Sequence, residues 1–391
     1  MTTLVRAGGI ATPDGVWDPT TIVIRDGLID ELRTGSSRTG REVIQAADLV
    51  VGAGLIDLHT HGAGGAQVID GSLEAMRRFA AAQARHGVTA FLATIGGSVE
   101  NIERGIAAAV EYIRAPRSPG EARCLGIHLE GPFINPERPG AFIPATILPP
   151  DIGLLDRLAS QADGWLRRMT LAPEVPGMAP LIRRAISLGI GCSAGHSAAT
   201  ATEMLTAVEA GVEGVTHVFN AMPGLHHRSP GLLGVALTDD RVTVELIADG
   251  VHVDPLMMRL LQRVKGWPRI ALITDSIAAA GLPDGSYRFE EQDVTVRDGE
   301  ARLADGTLNG STSMLDDAVR RFAVAAEIPW HQAHASASLV PARTLGVDDR
   351  MGAVQVGLAA DLVGFDEDRQ VRWTMIGGDV ASVAWRGRRP R

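Results

Sequence analysis

The amino-acid sequence predicts an α/β protein: a (β/α)8 TIM-like barrel with a small β-sandwich domain formed by the N- and C-terminal segments. Eight short apolar runs alternate with Ala/Leu/Arg-rich stretches of helical period through the middle of the chain, the rhythm of a parallel sheet. Both ends lack that rhythm and read as short strands between turn residues. The length, 391 residues, suits one large domain and a smaller one. A doubly wound open sheet is the alternative architecture.

Thr21-Ile22-Val23-Ile24 and Asp48-Leu49-Val50-Val51 read as strands, set off by the turns Pro13-Asp14-Gly15 and Arg25-Asp26-Gly27. The apolar runs follow at 55–59, 91–95, 125–130, 169–172, 190–194, 215–218, 244–248 and 270–274. Helical patterns lie between them, as at 72–86 and 179–188. Residues 283–307 break the rhythm with strand-like pieces at 287–289, 294–296 and 301–303, a β excursion after the eighth strand. Asp361-Leu362-Val363-Gly364-Phe365 and Val383-Ala384-Trp385 are strand-like again, separated by Gly377-Gly378. The expected divisions are 1–53 and 346–391 for the two parts of the β-sandwich and 54–345 for the barrel.

A net charge of −9 argues against nucleic acid or an anionic membrane as partner, since both need a basic surface. A small anionic substrate needs only one local cation and is not excluded. No apolar run approaches a membrane span, and the N-terminal stretch has no apolar core of a signal peptide. Cys124 and Cys192 each sit in or beside an apolar run, so buried free thiols and a cytoplasmic setting are expected.

In a barrel of this kind chemistry sits at the C-terminal ends of the strands. Strand one ends in His59-Thr60-His61, and residues two apart on a strand project to one face. Strand three ends in Glu130, strand five is followed by His196, strand six by His217 and strand eight by Asp275. Singly, each reads as a helix cap or a satisfied core residue. Six together at strand ends point to a metal centre, because imidazole nitrogen and carboxylate oxygen suit zinc or another first-row divalent ion. The set is large enough for two ions. Such an ion lowers the pKa of its water to about 7, and Asp275 is placed to move the proton to a leaving amine. The implied reaction is hydrolysis of a C–N bond, most simply an amide.

These motifs resemble the amidohydrolase superfamily and, within it, the N-acetylglucosamine-6-phosphate deacetylases. The resemblance rests on Leu58-His59-Thr60-His61-Gly62, His128-Leu129-Glu130-Gly131-Pro132, Gly195-His196-Ser197, Thr216-His217-Val218-Phe219-Asn220-Ala221-Met222, His226-His227-Arg228-Ser229-Pro230-Gly231, Ala248-Asp249-Gly250-Val251-His252, Thr274-Asp275-Ser276 and Thr307-Leu308-Asn309-Gly310-Ser311. It implies hydrolysis of the acetamide of N-acetylglucosamine 6-phosphate to glucosamine 6-phosphate and acetate. Glu130, His196 and His217 match the main metal ligands; His59 and His61 match the pair that, with Asp275, holds a second metal in some members. The resemblance implies one or two divalent ions per subunit, zinc first, with iron, manganese or cobalt as alternatives. Asp275 matches the catalytic acid/base. Asn220, Ala221, Arg228, Asp249, Gly250, Val251, His252, Leu308, Asn309 and Gly310 fall where the family binds its sugar phosphate. The equivalent of Arg228 reaches the phosphate from the neighbouring subunit, which implies a homodimer.

The chain departs from the family at Gly140-Ala141-Phe142, where several members carry a hydrogen-bonding residue against the sugar. Phe142 offers no such bond, so N-acetylgalactosamine 6-phosphate is an alternative substrate. Another amidohydrolase reaction is countered by the Arg228 loop, and a sugar-phosphate sensor by Asp275. Thr94-Ile95-Gly96-Gly97-Ser98 carries more glycine than the pattern explains. His128 shares a face with Glu130 and reads as an orienting partner or a barrel-lining residue. Ser193, inside a Gly-x-Ser-x-Gly pattern, lies within a strand and not at the sharp turn a serine nucleophile requires.

Overall fold

The computed structural model describes residues 2–18, 20–34, 42–289 and 292–383. Eight parallel strands form the central sheet: β1 (Leu55–Thr60), β2 (Val88–Ile95), β3 (Arg123–Glu130), β4 (Leu166–Leu171), β5 (Gly191–Ala194), β6 (Val212–Val215), β7 (Thr243–Ile247) and β8 (Ile270–Ile273). Each pairs in parallel with the next in sequence. The seam between β8 and β1 closes just past the strands, where Asp275 N–H donates to the His59 carbonyl at 2.8 Å and His61 N–H to the Ser276 carbonyl at 2.8 Å. Deeper in the seam, residues 336 and 337 stand between the strands and accept from Leu272 and Ile56. The barrel expected from the alternating pattern is therefore present.

A helix follows every strand, and local sequence explains where most of them begin. Ser72, Ser98 and Asp151 accept backbone N–H bonds at the starts of Leu73–Arg85, Val99–Arg114 and Ile152–Gln161. Thr200 and Glu203 form a reciprocal capping box on Ala201–Glu209, and Pro255 fills the first turn of Pro255–Lys265 behind Asp254. Burial of Phe79, Phe91, Phe133 and Phe322 between strands and helices makes the main core.

The two chain ends build one eight-stranded sheet beside the barrel. Its path runs Asp379–Val383, Val371–Ile376, Leu362–Phe365, Glu42–Ala53, Thr2–Thr12, Thr20–Arg25, Leu28–Thr34, with Gly15–Trp17 added to Thr2–Thr12. The sheet curls until its far hairpins meet: Ala360 N–H donates to the Gly27 carbonyl at 2.8 Å and Gly378 N–H to the Ala360 carbonyl at 3.1 Å. Its core gathers Val5, Ile22, Ile29, Val51, Leu362, Trp373 and Met375. The strand expected at 383–385 is described only as far as Val383; Ala384 and Trp385 lie outside the described residues. Between β8 and its helix Leu315–Ala326 stand three antiparallel strands, Gly285–Phe289, Gln292–Arg297 and Glu300–Arg302, where the sequence predicts the excursion. Among the described residues no helix is long and apolar enough to cross a membrane.

Candidate metal centre and its cavity

All six residues picked from strand ends converge. His59, His61 and Asp275 form one group, and Glu130, His196 and His217 another, with the ligand atoms of each group within 4.8 Å of one another. The Nε2 atoms of His196 and His217 lie 3.2 and 3.1 Å from Glu130 Oε1, and 3.1 Å from each other. Glu130 Oε2 faces the other way, 3.1 Å from His61 Nε2 and 3.4 Å from His59 Nε2. Asp275 Oδ1 completes that side at 3.2 Å from His61 Nε2 and 3.4 Å from His59 Nε2. Glu130 therefore presents one oxygen to each group.

These spacings fit divalent ions. Bonds of about 2.0–2.1 Å in a tetrahedral site put ligand atoms about 3.3 Å apart. Buried His59 Nε2, which faces this centre, has no hydrogen-bond partner, and converging lone pairs that cannot all find protons are stabilised by a cation. The electrostatics agree. Burial alone would lower the His61 pKa, but the Asp275 and Glu130 carboxylates outweigh it and push it up to about 9. Burial would raise Glu130, yet His59, His196 and His217 hold it well below the usual carboxylate range. The cluster demands positive charge, as protons or as metal ions.

The backbone is strained where these groups are displayed. His196, His217 and Asp275 have φ of 46°, 32° and 49°, a left-handed conformation that costs of order 1–3 kcal/mol for such residues. Each lies two residues past its strand, where the turn aims the side chain back over the barrel mouth. Polar groups on the far side of the rings from the ligand atoms align them. Glu245 Oε2 lies 3.3 Å from His59 Nδ1, and the Arg138 carbonyl 2.9 Å from His196 Nδ1, which leaves both Nε2 atoms facing the centre. Arg168, 1% exposed, sits 3.9 Å from Glu245 Oε1 and donates to Ser193 Oγ at 2.5 Å. His128 is a barrel-lining residue: Leu58 and Thr170 engage its two ring nitrogens, its ring stands edge-on to His59 at 4.7 Å, and burial pushes its pKa down to about 3. The sequence pattern does not single out Glu245 or Arg168. The signal available for Glu245 is a lone acid inside the apolar run 244–248.

The centre opens into a cavity of about 380 Å3. Of the expected substrate contacts, Ala141, Phe142, Asn220 and Ala221 line one part of it, and His252, Leu308, Asn309 and Gly310 another. Asp249 stands behind His252, holding its Nδ1 at 2.6 Å and accepting from the backbone of Val251 and His252. Burial would lower the His252 pKa, but the Asp249 carboxylate prevails and raises it. Gly250 and Val251 form the turn between them, with Gly250 at φ 81°. Arg228 does not line its own chain's cavity; it lies in an exposed loop with Nη1 2.8 Å from His227 Nε2. Phe289 and Arg302, from the excursion, also line the cavity, and the sequence pattern does not mark them. The glycines at 96–97 are partly explained as well: a Cβ on Gly96 would lie 2.5 Å from Phe142 Cε1, so Gly96 makes room for that ring.

A barrel with this bipartite His/Asp/Glu centre at its strand ends defines a class, and the chain belongs to the amidohydrolase family, whose sequence profile matches residues 50–381. That family depends on divalent metal. The chain is 37% identical to the N-acetylglucosamine-6-phosphate deacetylase of Bacillus subtilis, over 97% of each chain. It is also 37% identical to the N-acetylgalactosamine-6-phosphate deacetylase of Escherichia coli O157:H7, over 98% of this chain and all of the other. Among solved structures it resembles a point mutant of N-acetyl-D-glucosamine-6-phosphate deacetylase from Mycobacterium smegmatis in complex with N-acetyl-D-glucosamine-6-phosphate, with TM-score 0.90, 32% identity and coverage of 97% and 99%. The N-acetylglucosamine-6-phosphate deacetylase from Thermotoga maritima aligns with TM-score 0.87, 35% identity and coverage of 97% and 100%.

Proposed function

We propose that this protein hydrolyses the acetamide of N-acetylglucosamine 6-phosphate, releasing acetate and glucosamine 6-phosphate. The observation that carries the reading is the pair of ligand groups bridged by Glu130 at the mouth of a cavity of about 380 Å3, large enough for one sugar. Glu130, His196 and His217 would hold the principal ion; His59, His61 and Asp275 would hold a second, with zinc the best match to this nitrogen and oxygen set. A divalent ion there supplies Lewis acidity that acidifies water and polarises the amide carbonyl.

The chain's own residues do the rest. Asp275, a wall residue of the cavity, takes a proton from the attacking water and returns it to the departing amine nitrogen. His252, braced by Asp249, donates from its free ring nitrogen to an oxygen of the bound sugar. Asn220, Leu308 and Gly310 set the walls that orient the ring. Arg228 serves the phosphate of the neighbouring subunit in a homodimer, a role supported by its exposed loop and its absence from its own cavity.

The galacto epimer is a second reading, favoured by Phe142, an apolar ring where the sugar is expected to be held. An amine-release assay over N-acetylglucosamine and N-acetylgalactosamine, each with and without the 6-phosphate, tests both readings. Turnover confined to the 6-phosphates is the expected result, and the faster epimer names the substrate. No release from any of the four by metal-loaded protein overturns the function. A monomer by light scattering at assay concentrations would remove the role of Arg228 across the interface.

A further inference from the structure

We propose that Arg302 is a phosphate-binding residue of this site, supplied by the same chain through its three-stranded excursion. The inference rests on the reading of the substrate as a phosphorylated amino sugar. Arg302 ends the strand Glu300–Arg302, and among the described residues lining the cavity it carries the only fixed positive charge. The excursion packs against the metal centre and the loop facing it: the Phe289 ring stands edge-on to His61 at 5.4 Å, and Gln292 Nε2 donates to the Ala141 carbonyl at 2.8 Å. Arg302, on the next strand of the same excursion, lines that cavity.

The guanidinium is oriented before any ligand arrives. Its Nε and Nη2 each lie 2.8 Å from Glu300 Oε2, and Nη1 donates to the Gly306 carbonyl at 2.7 Å. A guanidinium has five N–H donors, so these contacts leave two for a ligand. Orienting the group beforehand reduces the entropy lost on binding. An antiparallel bridge from Arg302 to Leu308 and the bond from Asn309 N–H to the Ala301 carbonyl, 3.0 Å, set Asn309 beside it. Asn309 is 1% exposed, and its Nδ2 has no partner. A cation held on the cavity wall with two N–H donors free matches an oxyanion with several acceptor oxygens. A phosphate monoester is the group on this substrate with that chemistry.

The test compares wild type, Arg302→Ala and Arg302→Lys, all metal-loaded, on the 6-phosphate and on the unphosphorylated sugar. Arg302→Ala is expected to raise KM for the 6-phosphate about 10–100-fold, the worth of a charge-assisted contact, and to change kcat and the unphosphorylated reaction far less. Arg302→Lys recovers part of the loss, and inorganic phosphate inhibits the alanine variant correspondingly more weakly. An unchanged melting temperature shows the hairpin intact. Equal losses on both sugars, or an unaltered KM, overturn the assignment. If wild type hydrolyses neither sugar, the substrate reading has failed, and calorimetry with inorganic phosphate decides Arg302 by itself. Binding lost in Arg302→Ala sustains the anion site; binding equal in both, or absent from wild type, removes it.

Discussion

The backbone N–H of Asp275 donates to the carbonyl of His59 at 2.8 Å, so the bond that closes the barrel seam also joins two residues of the metal centre. The first and last strands, at opposite ends of the barrel sequence, meet where Asp275 Oδ1 stands 3.4 Å from His59 Nε2. The contacts that close the fold also bring the second ligand group together.

Asp275→Asn keeps the shape of the side chain and removes its basicity. Turnover is expected to fall about 10²–10⁴-fold, the usual contribution of a positioned acid/base. Ions at Glu130, His196 and His217 should remain, as elemental analysis of the purified variant would report. Activity near wild type would end the role given to Asp275.

Glu245→Gln weakens the carboxylate grip on His59 Nδ1 without emptying the space it fills. Loss of such an outer partner typically lowers metal affinity about 10–100-fold. Metal titration should show weaker binding at the group containing His59 and unchanged binding at the group of His196 and His217. Two equally tight ions in the variant would contradict this.

Gly96→Ala places a methyl group 2.5 Å from Phe142 Cε1 and 3.1 Å from the Glu130 carbonyl. Chemical denaturation should show a loss of about 1–3 kcal/mol, the usual effect of overpacking. The same change combined with Phe142→Ala should be less damaging than the sum of the two single changes, because the clash is gone. Additive effects would mean that the two residues do not share the space.

His334 reports on acid stability. Burial pushes its pKa down to about 4, against 6.5 unperturbed, while its Nε2 lies 3.0 Å from the Ala53 carbonyl. The unfolded chain takes up this proton at higher pH than the folded one. The stability of the neutral form is therefore complete above pH 6.5 and is lost as pH falls towards 4, by at most about 3 kcal/mol. His334→Gln should flatten the pH profile of unfolding between those limits. Identical slopes for variant and wild type would exclude His334 as a source of the acid sensitivity.

The barrel was legible because alternation and helical period are local properties, and the six candidate ligands were legible because barrel strands display chemistry at one end. Glu245, Arg168 and Arg302 were not. A buried acid in a strand run and an arginine near a turn take on meaning only from partners on other strands. Gly96 is the same case: its small size answers Phe142, which sits in a different loop remote in the chain.

By itself, the sequence determined the order of strands and helices, the joining of both ends in one small β domain and the residue types of the metal centre. These follow from periodicity, turn chemistry and the donor atoms of His, Asp and Glu. The family resemblance already implied how those donors divide; tertiary structure decided the geometry that divides them. Curvature of the barrel brings two groups to opposite oxygens of Glu130. The folding back of residues 285–302 sets Arg302 at the cavity wall. Both depend on distances between segments remote in the chain, which only the closed fold sets.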